Sequence, residues 1–223
     1  QMSTSLNLFA QRNVNLSFDL FGLHLFNWIP EQFQSLNAIW IVLLSPVLVF
    51  FYNLLGKSGR NPSVAAKFAL GFAAVAAGYF TYGVGAQFAV EGKISSWFMV
   101  WGYGLYSLGE LLVSGLGLAM IARYVPARMG GFMMGAYFVA SGISQYLGSV
   151  VANFASIPTD VVDPLVSLPI YTRLFNNLGW AGVACTLVAI AMLPLMKRLS
   201  ASHADAAAAH AQPDAHSEAS GTH

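Results

Sequence analysis

The stretch WFMVWGYGLYSLGELLVSGLGLAMI, from Trp97 to Ile121, is apolar along most of its length and carries one charge, Glu110. Glu110 is the only formally charged side chain in the 29 positions between Lys93 and Arg123, and it stands close to their middle. At 1.5 Å per residue, about 20 apolar residues cross the ~30 Å hydrocarbon core of a bilayer, so this stretch is long enough to span. A carboxylate at that depth costs about 2.5–3.5 kcal/mol on insertion scales. Such residues face a bundle interior or an aqueous cavity, and the first expectation is a transport or proton-relay site.

The rest of the chain reads the same way. Of 223 residues, 57% are hydrophobic and 9% charged, against about 25% charged in a soluble globular domain. An integral, all-α membrane protein follows. Four more stretches have spanning length: Phe33–Leu55, Lys67–Val90, Gly131–Phe154 and Leu174–Met196. With Trp97–Ile121 they make a bundle of five complete spans over 33–198. Residues 1–10 read as the remnant of a further transmembrane helix, so the chain is expected to continue a longer protein. Residues 11–32 are expected to be an outer loop, and GKSGRNP, Gly56–Pro62, a turn rich in helix breakers. A second such segment is Ser156–Pro169. Residues 199–223 show no apolar periodicity and are expected to be a disordered tail. His203, His210, His216 and His223 in that tail form no tight pair on one helical face, so no metal site or other cofactor is expected. Cys185, the only cysteine, lies in an apolar run; it excludes a disulfide framework and is expected to be buried.

Orientation follows from the basic residues. Lys57, Arg60, Lys67, Arg123, Arg128, Lys197 and Arg198 fall at one set of helix ends, and Arg12, Lys93 and Arg173 at the other. An excess of Lys and Arg in short loops marks the cytoplasmic side. The 56–62 turn and the C-terminal tail are therefore expected in the cytoplasm. Trp28, Trp97, Trp101 and Trp180 lie near outer ends, as an interfacial belt would.

Residues three and four apart share a helical face. Tyr103, Tyr106, Ser107, Glu110, Ser114 and Gly117 thus form one polar stripe, opposite a lipid-like row of Leu105, Leu108, Leu112 and Leu116. Hydroxyls beside one acid suit a hydrated cavity, although serines in membrane helices also hydrogen-bond their own backbone. The next helix repeats the pattern with Tyr137, Phe138, Ser141, Ser144 and Gln145, and Ser141 is expected level with Glu110. Gly131, Gly135, Gly142 and Gly148 are expected to permit close helix packing. Asn37, early in the first complete span, is placed roughly 7–12 Å above the midplane, and Pro46 should kink that helix.

Enzymatic chemistry has little support: no second acid lies within a span, no HExxH occurs, and no nucleophile stands beside a base. Five segments carry a resemblance instead: QMSTSLNLFA (1–10), FQSLN (33–37), LSPVL (44–48), GELLVSGLGL (109–118) and PLVSLPIY (164–171). Together they resemble the C-terminal half of the proton-dependent oligopeptide transporters of the major facilitator superfamily, over about residues 1–198. The resemblance implies a six-helix half that begins late in the seventh helix. It implies import of dipeptides and tripeptides with protons, in a bacterial inner membrane, in partnership with an N-terminal half. Glu110 would receive the peptide's amino terminus, pair with a lysine of the missing half and take part in proton coupling. Asn37 would contact the peptide backbone, while Tyr137, Phe138 and Ser141 would line side-chain pockets and Ser114 would join the substrate site. No nucleic acid is implied as a partner. The chain departs from the family where Trp often stands at Tyr137, where Asn-Pro replaces Asn37-Ala38, and where Ser-Pro replaces Ser114-Gly115. These departures bear on pocket shape and helix kinking. Two other readings stay open, a facilitator for another small zwitterion or anion and a non-transporting membrane scaffold.

The orientation has a direct check. In a Cys185→Ser background, a cysteine introduced at Ser58 should resist impermeant thiol reagents outside sealed cells. Efficient labelling there would reverse the topology.

Overall fold

The computed structural model describes residues 2–20, 23–57, 64–115, 117, 118, 125–154 and 163–210. Its helices are α1 (Met2–Asn13), α2 (Ser35–Lys57), α3 (Val64–Gly85), α4 (Ser96–Glu110), α5 (Ala127–Phe154) and α6 (Pro164–His210). α4 starts at a capped end, where the Ser95 hydroxyl accepts from the Trp97 backbone N–H at 3.4 Å. It continues past Glu110 as a π-helical turn, Leu111–Gly115. α2 stays helical through Pro46, and the neighbouring Ser45 hydroxyl donates to the Ile41 carbonyl at 2.6 Å.

Several expectations need correction. Among the described residues three of the five expected spans appear as helices long and apolar enough to cross a membrane, Pro30–Lys57, Ala66–Phe88 and Pro164–Pro194; part of the 97–121 stretch lies outside the described residues. In the 97–121 stretch the α-helix passes at Glu110 into the π turn, and the apolar run of α5 is diluted by Gly135, Ser141, Gly142, Ser144 and Gln145. The opening helix reaches Asn13 rather than residue 10. Beyond it, the expected outer loop is ordered. β1 (Val14–Asn15) pairs in parallel with β4 (Ile94–Ser95), and β2 (Ser17–Leu20) forms an antiparallel hairpin with β3 (Leu23–Asn27). The fold is therefore helical with a small β element at one end. Residues 199–210 continue α6 instead of opening a disordered tail, since their alanine-rich run has high helix propensity; 211–223 lie outside the described residues, as do 58–62 of the expected turn and 156–162 of the second breaker segment. Cys185 is exposed, on the outer side of α6. The glycines of α5 do not mediate packing here: a Cβ at Gly131, Gly135 or Gly142 would meet nothing within 4 Å.

α3 is the axis of the bundle. Its Gly71 faces Gly109 of α4 and Leu112 of the π turn that follows, and Gly78 faces Gly102, so the two helices run antiparallel at close approach. On its other side, Ala76 meets Gly182 and Phe80 meets Gly179 of α6, again antiparallel. Small residues let membrane helices pack backbone to backbone, where van der Waals contact replaces the missing hydrophobic driving force. Leu112, placed on the lipid-like row by periodicity, is 2% exposed because Gly71 opens room for it.

The best-buried part of the molecule lies at the hairpin end. Phe9 of α1 packs edge-on against Tyr171 and Phe175 of α6, with centroids 5.3 and 5.0 Å away. Phe33 and Leu36 enter the same cluster and seat the start of α2. A fully buried amide ties three elements together there. Asn13 Nδ2 donates to the carbonyls of Gly92, at 2.9 Å, and Pro164, at 2.8 Å. The buried Ser167 hydroxyl donates to Asn13 Oδ1 at 2.8 Å. Gly92 adopts φ +76°, and a Cβ there would lie 2.6 Å from the Pro164 carbonyl carbon, so only glycine can present its carbonyl at this junction. Asn13→Leu leaves these buried groups without a partner, at about 1–3 kcal/mol each. A clear drop in the melting temperature of the detergent-solubilised protein is expected; an unchanged value would show that the junction does not hold the three elements.

Candidate functional site

The site grows from the last turn of α4. Ser107 and Glu110 are three residues apart and share a face. That face meets the first turn of α2, where Asn37 is the third residue. Asn37 Nδ2 donates to Glu110 Oε2 at 3.2 Å. The Ser107 hydroxyl donates to Asn37 Oδ1 at 2.5 Å and lies 3.5 Å from the Asn37 backbone carbonyl. Tyr106, four residues before Glu110 on α4, shares that face.

Two anchors set this crossing. The Trp40 indole donates to the Val100 carbonyl at 3.0 Å, and its ring lies over Gly104, where a Cβ would stand 3.0 Å from Trp40 Cε2. On the opposite side of α4, Gly109 sits against α3, with its Cβ position 2.7 Å from the Gly71 carbonyl oxygen. Glu110 is thus wedged between a helix start and a tight helix pair, just before a π turn. Such turns are enriched at functional sites because they displace side chains from the regular helical row.

The sequence set Asn37 well above the level of Glu110; the structure brings the two into hydrogen-bond contact. Burial of Phe33 and Leu36 fixes where α2 begins, and helix length alone could not supply that depth. Ser107 does not bond its own backbone but a residue 70 positions away. The remaining candidates are not gathered at the carboxylate. Ser114 is exposed within the π turn. On α5, Tyr137 faces Gly117, with a Cβ position there 3.2 Å from its ring. Phe138 packs edge-on to Tyr137 at 5.9 Å and is 62% exposed. Ser141 is half-buried on the same helix, and no hydrogen bond joins it to Glu110 among the described residues. Ser107 belongs to the site more firmly than any of these. The signal for it was its spacing from Glu110.

Chemically, the arrangement offers a carboxylate held by one neutral donor. Among the described residues the only ion pair is His24 with Asp19, 3.0 Å apart at the exposed hairpin. A partly buried carboxylate of this kind gains from a cationic partner, since charge-assisted hydrogen bonds are about twice as strong as neutral ones. No group of three or more His, Cys, Asp or Glu able to hold a metal occurs among the described residues.

Comparison with known proteins places this geometry in context. The model of the POT family (PTR2) matches residues 1–174. Dipeptide and tripeptide permease B of Salmonella typhimurium is 42% identical over 200 residues, covering 89% of this chain and 40% of that protein. Dipeptide and tripeptide permease A of Escherichia coli K12 is 42% identical over 194 residues, covering 86% of this chain and 37% of that protein. A crystal structure of tetrameric PepTSo2 is 66% identical and superposes with a TM-score of 0.76, over 89% of this chain and 39% of that one. The chain thus spans about two-fifths of the length of the relatives it matches.

The two glycines around Glu110 make opposite predictions. Gly109→Ala forces α4 off α3 and should destabilise the protein by about 1–3 kcal/mol. Gly115→Ala, with nothing within 4 Å, should be neutral or stabilise by up to about 1 kcal/mol. Equal melting temperatures for the two variants would contradict the close α3–α4 contact.

Proposed function

This chain belongs to the POT family, and from that premise we propose that it is the C-terminal half of a proton-coupled symporter for dipeptides and tripeptides. The observation that carries the reading is the contact of Asn37 with Glu110, in a chain similar to dipeptide and tripeptide permeases. A carboxylate without a cationic partner among the described residues, wedged between apolar helices, suits the ammonium group of a peptide. Glu110 binds that amino terminus and takes part in proton coupling; Asn37 sits beside it to hold the peptide backbone. Tyr137, Phe138, Ser141 and Ser114 line the remainder of the pocket, which closes when the N-terminal half supplies the opposite wall. Sites of this kind lie near the bilayer midplane at the interface of two repeats, and transport follows from one repeat rocking against the other. The protein works as a transporter rather than an enzyme, in a bacterial inner membrane with the C terminus in the cytoplasm.

Glu110→Gln keeps the shape of the side chain and removes its charge. In the full-length protein it should weaken binding of peptides with a free amino terminus by roughly 1.5–3 kcal/mol. N-acetylated analogues, which lack the ammonium, should lose much less. Equal losses for the two would make Glu110 a structural group or a proton carrier only. Preference for a non-peptide zwitterion or anion over dipeptides would favour the facilitator reading.

A further inference from the structure

We propose that Ser107 is a positioning residue for the substrate site: its hydroxyl holds the oxygen end of the Asn37 amide, which keeps the amide NH2 aimed at Glu110. This deepens, and rests on, the peptide-site reading above. Ser107 is fully buried, so it cannot itself touch a peptide. Its one side-chain partner within 3 Å is Asn37 Oδ1. The amide ends of asparagine are near-isosteric and its χ2 is broad and roughly two-fold, so packing alone does not choose an orientation. The hydrogen bonds do. A carboxylate only accepts, so Asn37 must turn Nδ2 toward Glu110 Oε2. Oδ1 then points at Ser107, which must donate. The chain Ser107–Asn37–Glu110 therefore has one direction, set at its far end by the carboxylate and anchored at its start by the α4 hydroxyl.

Removing that hydroxyl leaves Oδ1 without its donor and loosens the amide about χ2, so that its NH2 is no longer held in line with Glu110 Oε2. Both consequences reach the peptide: Asn37 loses its fixed donor direction, and Glu110 loses its neutral partner. The effect of Ser107 passes through Asn37, which separates positioning from a general packing role.

The test uses the full-length protein and the variants Ser107→Ala, Asn37→Ala and the double substitution. Alanine is smaller than serine by one oxygen, and Ser107 lies in a helix interior, so the variant is expected to fold. In competition binding against a labelled dipeptide, Ser107→Ala should weaken binding by roughly tenfold. In the Asn37→Ala background it should add no further loss, because interacting residues are non-additive. Independently of peptide, the Asn37 side-chain amide, followed with 15N-asparagine in the empty protein, should exchange its hydrogens faster in Ser107→Ala. Additive losses, or an unchanged exchange rate, would overturn the positioning role. Failure of the wild-type protein to bind any dipeptide would instead refute the proposed substrate, while the exchange measurement still decides Ser107.

Discussion

Close approach of backbones along α3 is the constraint on which the other features rest. A helix bundle in lipid gains little from burying apolar side chains, because the solvent is apolar too, so its cohesion comes from contact at short range. α3 presents small residues on two sides, Gly71 and Gly78 toward α4, and Ala76 and Gly83 toward α6. Each neighbour answers with glycines of its own, Gly102 and Gly109 on α4, Gly179 and Gly182 on α6. The three antiparallel helices form a slab whose spacing is set by absent side chains. That spacing decides the rotation of α4, and the rotation decides which residues look toward α2.

The polar site depends on that rotation. With Gly109 pressed on α3, Ser107 and Glu110 turn toward the start of α2. A carboxylate exposed to hydrocarbon is unfavourable; here it gains an amide donor, and the amide is in turn held by a buried hydroxyl. Partly satisfied buried networks carry a penalty when a member is left open. Among the described residues Glu110 keeps open hydrogen-bonding capacity beyond the Asn37 amide.

The rim of the molecule behaves differently. α2 exposes Val42 and Phe50, at 71% and 69%, and α5 exposes Phe132 and Val139, at 73% and 63%. Apolar surfaces of this extent on a membrane protein face lipid or another helical unit, which is consistent with a chain that spans two-fifths of its relatives' length. The firm packing lies elsewhere, at the hairpin end. There Phe9, Asn13 and Ser167 join α1, the turn after α3 and α6 into one unit. The bundle is thus tied at one end and bare along two of its helices.

The sequence alone determined the class of this protein and singled out Glu110 as the candidate for its polar site. One charge in a long apolar stretch marks a membrane helix and its polar face, because length and desolvation cost depend on composition and not on neighbours. The cores of α2, α3 and α6 were equally readable from apolar length, and the family from a handful of segments. What the tertiary structure decided is everything set by contacts between distant residues. Asn37 meets Glu110 because Phe33 and Leu36 are buried in a core made by other elements, and no helix-length estimate contains that depth. Leu112 is inside because Gly71, on another helix, leaves room for it. Asn13 looks like an ordinary polar residue in the sequence, and Ser107 like one member of a polar stripe. Their roles appear only when the fold brings an acceptor from 70 or more positions away, since a hydrogen bond is decided by where its partner stands.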